Sequence, residues 1–174
     1  MYSYIVEPLS RFNIRQIVKN FRKLLGIENA WFVDVVALLD ILSKKIPDFS
    51  YEVVANCTLP KKVFATTDIY SGKIKIKQHI FDKACDGNGF ARYCIAHEIG
   101  HFILLRLCGF ELTKATKDMN IPKFRNPEWQ AECFAGELMM GYDVTKHFTV
   151  EELKDRCGVS QKAANYQYNM FRKV

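Results

Sequence analysis

The sequence of 174 residues lacks several features that mark particular classes of protein. No stretch approaches the roughly 20 consecutive apolar residues that a membrane-spanning helix needs, which argues against such a helix. The opening stretch, MYSYIVEPLS, has no lysine or arginine ahead of its apolar residues, unlike a secretory signal peptide. Internal repeats and low-complexity segments are also missing. We therefore expect a cytoplasmic protein that has no membrane partner.

No CxxC pair occurs among the six cysteines, which are Cys57, Cys85, Cys94, Cys108, Cys133 and Cys157. A small secreted protein would use an even number of cysteines for disulfide bonds. Here 49% of the residues are hydrophobic, which is enough for one core without covalent links. We expect reduced and mostly buried thiols.

Positive charge is only modestly in excess. The net charge of +6 fits an anionic partner such as nucleic acid but does not require one. In KIKIK, at 73–77, isoleucine and lysine alternate strictly, which predicts a strand with Ile74 and Ile76 facing inward. We interpret the three lysines as the charged face or the protected edge of a sheet rather than as nucleic-acid contacts.

Apolar periodicity divides the chain into helices and strands. Helical spacing predicts helices at about residues 10–25, 31–45, 89–107, 127–140, 149–157 and 160–173. Alternating and β-branched stretches predict strands at 51–59, 62–70 and 73–77. Residues 110–127 are polar, contain two prolines and predict a loop.

The motif with the most distinctive chemistry is HEIGH, which begins at His97. Asn88 predicts the start of its helix and Gly109 its end. His97 and His101 are four residues apart and share one helix face, where they can bind one Zn²⁺ at about 2.0–2.1 Å. Glu98 points sideways from the pair and can act as a general base without binding the metal. The motif also arises by chance, and the two histidines would then simply line the core.

The third ligand of such a site remains open at this point. A catalytic zinc usually takes three protein ligands. The longer HExxHxxGxxH motif is absent, because Leu104 and Leu107 occupy the positions of its glycine and third histidine. The next helix offers Glu128 and Glu132, four residues apart on one face, and Glu137 further along is the less favoured choice. For each glutamate the alternative is a solvated position on the helix surface.

The stretch RYCIAHEIGHFILL followed by EWQAECFAGELMM resembles the ImmA/IrrE family of bacterial metallopeptidases. That family joins an HExxH helix to the pattern E-x-Q-A-(N/D)-x-F-A-x-x-L-L-M-P. DFSYEVVANCTLP and DKACDGNGFARY resemble the segments ahead of the helix, and CGVSQKAANYQYNMF resembles the family's C-terminal tail. The resemblance covers most of the chain. Gly141 stands where the family has the final proline, which alters a helix end rather than a ligand.

The resemblance implies an α+β, zincin-like fold. We expect N-terminal helices, a small, mainly antiparallel sheet, the HExxH helix, a second ligand helix and a short helical C-terminal tail. The metallopeptidase domain is expected at 1–147, including the N-terminal helices at 8–46. A helix-turn-helix-like tail is expected at 148–174, packed on that domain.

The resemblance also implies the residues of the site. One Zn²⁺ per chain would be held by His97, His101 and Glu128, with Glu98 as the base. Glu132 stands where the family often has Asn or Asp, and it would orient His97 through the unligated ring nitrogen. The implied activity is that of a zinc-dependent endopeptidase with a narrow protein substrate. The expected substrate is a helix-turn-helix repressor encoded nearby, which controls phage, mobile-element or stress genes.

Two further parts of a peptidase site are expected. A hydrogen-bond donor should stabilise the oxyanion that forms on the scissile carbonyl, and the candidates are Tyr142, His147 and Tyr93. An extended peptide should add to the predicted sheet edge as a further strand. Its contacts would be with Lys73, Ile74, Lys75 and Ile76.

The tail supports a second class of function. LKDRCGVSQKAANYQYN resembles a helix-turn-helix, with basic residues at Lys154, Arg156, Lys162, Arg172 and Lys173. Its second helix is rich in Ala, Tyr, Asn and Gln and carries little charge, so protein docking is favoured over DNA binding. The alternative to a peptidase is therefore a zinc-bearing regulatory protein that uses its tail for docking. Salt-dependent binding to duplex DNA would reveal true phosphate contacts.

Overall fold

The computed structural model of the protein describes residues 3–115 and 121–173, with the backbone alone for 3 and 110–115. The described chain has an α+β fold of five strands and eight α-helices. The strands are β1 (Ser3–Val6), β2 (Ser50–Val54), β3 (Ala65–Asp68), β4 (Lys73–Lys77) and β5 (Phe110–Ala115). The helices are α1 (Arg11–Leu24), α2 (Val35–Lys45), α3 (Gln78–Cys85), α4 (Gly89–Cys108), α5 (Pro127–Met139), α6 (Tyr142–Thr145), α7 (Val150–Cys157) and α8 (Gln161–Phe171).

N-cap residues start several helices where the sequence predicts. Ser10, Asn88 and Thr149 each accept a hydrogen bond from a backbone N–H in the first turn of α1, α4 and α7. Each cap satisfies a backbone donor that has no partner inside the helix. Helix α2 starts later than predicted, because the side chain of Asp34 accepts from its first turn. Local capping chemistry therefore sets the helix starts.

Three strands form one mixed sheet in the order β2-β4-β3. Strands β2 and β4 are parallel, and β3 is antiparallel to β4. Strands β1 and β5 form a separate antiparallel pair. Two of the three pairings in the described part of the chain are antiparallel, in line with the expected α+β fold.

The prediction that residues 73–77 form a sheet edge is wrong, because β4 is the central strand and pairs on both sides. Ile74 and Ile76 are fully buried, as the alternation predicts. Lys77 is buried as well, and its ammonium group donates to the carbonyl of Pro60 at 2.8 Å. Both sides of the strand are already hydrogen-bonded, so a substrate strand has no place to add. The prediction that a substrate adds as a further strand at Lys73, Ile74, Lys75 and Ile76 is therefore wrong.

Four of the described helices and strands have no counterpart in the sequence analysis. Strand β1 and helices α3 and α6 are not predicted, and the loop prediction for 110–127 is wrong over β5. A 3-10 turn at Lys123–Arg125 interrupts the same stretch, and residues 116–120 lie outside the described residues. The two unpredicted strands, β1 and β5, pair with each other although most of the chain lies between them, and no local pattern reveals such a pairing.

Helices α4 and α5 pack tightly against each other in the core. Gly100 of α4 faces the ring of Phe134 on α5, and a Cβ atom on Gly100 would lie 3.0–3.2 Å from that side chain. A larger residue at Gly100 would push the helices apart. The glycine of HEIGH thus lets α5 lie close beside the motif.

The tail shares the core of the rest of the chain. Its helices contribute Leu153, Cys157, Ala164 and Phe171 to one buried cluster. Gly158 adopts a left-handed conformation with φ of 61° between α7 and α8. The buried guanidinium of Arg92 on α4 donates to the carbonyl of Cys157 at 3.1 Å, to that of Gly158, and to that of Val33 at 2.8 Å. The boundary expected at 147/148 stays a prediction.

All six cysteines are free thiols. The expectation of mostly buried thiols is wrong, because only Cys133 and Cys157 are buried while Cys57 and Cys85 are exposed. None of the described helices combines the length and the apolar character that crossing a bilayer requires.

Candidate metal centre

Helix α4 carries both histidines of the motif towards the start of α5. The side chains of His97 and His101 are one helical turn apart, with ring centroids separated by 4.7 Å. Asn126 caps α5 by accepting from the N–H groups of Glu128 and Trp129, and Pro127 occupies its first turn. This cap places Glu128 in the first turn of α5, opposite the two imidazoles.

The three side chains converge on one point. The Nε2 atoms of His97 and His101 are 3.0 Å apart, and the carboxylate oxygens of Glu128 lie 3.2 Å and 3.3 Å from them. All the donor atoms lie within 4.8 Å of one another. A tetrahedral ion with ligands at about 2.0–2.1 Å keeps them about 3.3 Å apart. The donor set and its spacing therefore fit a metal ion.

The electrostatics of the cluster also favour a cation. Hydrogen bonds from His101 and His97 hold the pKa of the Glu128 carboxyl well below its usual range. Burial acts to lower the pKa of His97, but Glu128 and Glu98 outweigh it and the pKa is raised overall. The carboxylate thus remains ionised beside two nitrogen donors. Its side chain is 67% exposed, so the cluster opens to solvent as a catalytic site requires.

Glu98 lies beside the cluster and is held by the sheet. Its side chain is buried, and Oε2 accepts a hydrogen bond of 2.7 Å from the hydroxyl of Thr67 on β3. Sequence reasoning missed Thr67, because no motif connects it to the HEIGH helix. The structure thus places a hydroxyl donor against the predicted base.

The remaining candidates on α4 and α5 take other positions. Glu132 is exposed, and no hydrogen bond joins it to His97 among the described residues. Its charge still helps to raise the pKa of His97. The hydroxyl of Tyr93 donates to the backbone carbonyl of Glu132 at 2.8 Å. The orienting role of Glu132 stays a prediction.

Two of the oxyanion candidates and the less favoured ligand lie towards the other end of α5. Tyr142 follows that helix and stacks on the guanidinium of Arg15 at 4.0 Å, while His147 is exposed beyond it. Glu137 is buried and forms two hydrogen bonds of 3.1 Å with the same guanidinium. Glu137 therefore belongs to an ion pair and not to the candidate metal centre.

A residue that sequence reasoning missed is Tyr4 on β1. Burial, followed by the charges of Glu128 and Glu98, raises the pKa of Tyr4 to about 12. Val6, two residues further along this strand, lines a small cavity together with His101. The phenol therefore lies within the field of both carboxylates and stays protonated near neutral pH. A four-residue strand gives too short a pattern to have revealed it.

The fold and the cluster of two histidines and a glutamate define a metallopeptidase-type domain. Residues 78–169, more than half of the chain, match the Peptidase_M78 family, described as the IrrE N-terminal-like domain. The chain belongs to this family. The match covers α3 through most of α8, including both the HEIGH helix and the Glu128 helix.

One solved structure shows the same fold at low sequence similarity. A Mycobacterium tuberculosis transcriptional regulator shares 15% identity with a TM-score of 0.59. The similarity covers 88% of this chain and 45% of that one. This chain therefore corresponds to less than half of the regulator. The search of the curated proteins gives no match.

Proposed function

We propose that this protein is a zinc-dependent endopeptidase of the cytoplasm. Its proposed substrate is narrow: a helix-turn-helix transcriptional repressor encoded nearby. The observation that carries the proposal is the convergence of His97, His101 and Glu128 within 4.8 Å beside the buried carboxylate of Glu98. The repressor as substrate rests on the resemblance of the chain to the ImmA/IrrE family.

The proposed chemistry divides the work among four side chains. His97, His101 and Glu128 would hold the ion, and Glu98 would take a proton from the attacking water and deliver it to the leaving amine. When bound, zinc lowers the pKa of water from 15.7 towards about 7 and polarises a carbonyl. Only 8% of Glu98 is exposed, so bulk water does not compete for the hydrogen-bonding positions of its carboxylate.

The peptide would lie along β3 rather than β4. Strand β3 ends the three-stranded sheet, and its Thr67 contacts Glu98 directly. An extended segment that pairs with β3 would pass Thr67 and the base.

Metal binding gives the first test of the site. We expect one zinc per chain, and a fall in zinc affinity for Glu128→Gln that exceeds the roughly 10–100-fold cost of losing an outer contact. Glu132→Gln is the matched control on the same helix and should stay within that range. Zinc content by mass spectrometry after dialysis against a chelator measures both. A larger loss for Glu132→Gln than for Glu128→Gln would contradict the ligand assignment.

Incubation with the neighbouring repressor tests the function itself. Intact masses are recorded before and after mixing with the zinc-loaded protein and with the chelated protein. One discrete cut that disappears on chelation and returns with zinc supports the proposal. A stable complex without a cut would favour the zinc-bearing docking protein. A purified protein that binds no zinc would contradict both.

A further inference from the structure

The buried carboxylate of Glu98 is held from outside its own helix. The hydroxyl Oγ1 of Thr67 lies 2.7 Å from Glu98 Oε2 and 3.1 Å from the backbone carbonyl oxygen of the same residue. A hydroxyl has one proton, and the shorter contact to a charged acceptor takes it. The carboxylate is thereby fixed through one oxygen, and Oε1 is left to accept the proton of the attacking water.

The strand that carries this hydroxyl is itself rigid. Thr67 pairs with Ile74 on the central strand, and Ile74 is completely buried. A β-branched side chain in a strand has few χ1 rotamers, so the hydroxyl keeps its direction. The neighbouring Thr66 pairs with Lys75, and alternation directs it to the other face of the sheet. Position 67 alone of this pair can therefore reach the helix.

We propose that Thr67 is a positioning residue for the catalytic base. The inference rests on the proposed peptidase function. Thr67 holds the Glu98 carboxylate in the orientation that proton transfer needs, and it acts only through Glu98. Because β3 also ends the sheet, the strand that would receive the substrate is the strand that positions the base.

Substitutions at two adjacent threonines test the proposal. Thr67→Val keeps the shape and removes the hydroxyl, so kcat should fall by about 10²-fold, as misplacement of a reacting group by about 1 Å does. KM should stay unchanged, because the lost contact acts in the transition state. Thr67→Ser should restore most of the turnover. Thr66→Val is the control and should match the wild type.

Two readouts separate positioning from a general effect on folding. Zinc content and thermal unfolding of Thr67→Val should match those of Thr66→Val. In a Glu98→Gln background, Thr67→Val should cause no further loss, because the residue acts through the base. Full additivity of the two losses, or a Thr67→Ser variant as slow as Thr67→Val, would overturn the proposal.

Crystal structures give an outcome that does not depend on turnover. Zinc-loaded wild type should show the contact of Thr67 with Glu98, and Thr67→Val should show the carboxylate rotated away. A wild-type structure without this contact overturns the inference even if the protein is a peptidase. A wild type that has the contact but cuts nothing contradicts the proposed function instead.

Discussion

Glu98→Gln should retain one zinc per chain and lose turnover by about 10²–10⁴-fold, the range that general acid–base catalysis contributes. The amide has the shape of the carboxylate and can still accept from Thr67, but it cannot take a proton from water. The metal ligands are untouched, because the cluster consists of His97, His101 and Glu128 and does not include Glu98.

The measurement is single-turnover cleavage of the repressor followed by intact mass, with zinc content recorded for every sample. Glu151→Gln, an exposed residue in the first turn of α7, is the control and should cleave at the wild-type rate. A Glu98→Gln variant that cleaves as fast as the wild type would exclude the proposed base. Loss of zinc in that variant would instead show that the carboxylate belongs to the metal site.

Glu137→Gln should destabilise the fold by about 3–5 kcal/mol, the typical cost of removing one partner from a buried ion pair. Glu137 accepts two hydrogen bonds from Arg15 and one of 3.0 Å from Gln167, and it lies 3.9 Å from Arg11. The variant leaves the buried guanidinium of Arg15 without a counter-charge. Zinc binding should persist, because this glutamate lies away from the metal ligands.

Urea unfolding of Glu137→Gln and of a surface variant measures the difference. Asp143→Asn removes the partner of Lys19, an ion pair of 2.7 Å whose side chains are 57% and 55% exposed. Exposed pairs contribute about 0–1 kcal/mol, so this control should unfold close to the wild type. Equal unfolding midpoints for the two variants would show that the buried pair contributes no more than a surface one.

Local chemistry explains which parts of the fold could be predicted. Asn88, Thr149 and Pro127 mark helix starts through their own side chains, so a single sequence is enough to place α4, α7 and α5. Strands β1 and β5 lie more than 100 residues apart, and only the short stretch FELT at the start of β5 alternates between apolar and polar residues. The order β2-β4-β3 includes a parallel pairing that depends on the path of the chain. Edge and centre therefore could not be distinguished beforehand.

The candidate site divides in the same way. His97, Glu98 and His101 follow from one short spacing, and the resemblance adds Glu128. Thr67 and Tyr4 come from strands that meet the HEIGH helix only after folding, and isolated polar residues in short strands carry no signal. The predicted oxyanion donors were chosen from the sequence around α4 and after α5, and their role stays a prediction.

The buried guanidinium of Arg92 joins two segments that lie far apart in the sequence. It lies five residues before His97 on α4, and its acceptors are carbonyl groups from the α1–α2 connection and from the end of α7. A chain shortened before Cys157 would leave the buried guanidinium with one of its three carbonyl acceptors, that of Val33. An added domain or a bound partner that displaces α7 would remove these acceptors from Arg92 and would disturb the helix that carries the histidines. The tail thus helps to hold the HEIGH helix in place, and its removal would lower both the zinc affinity and the stability of the fold.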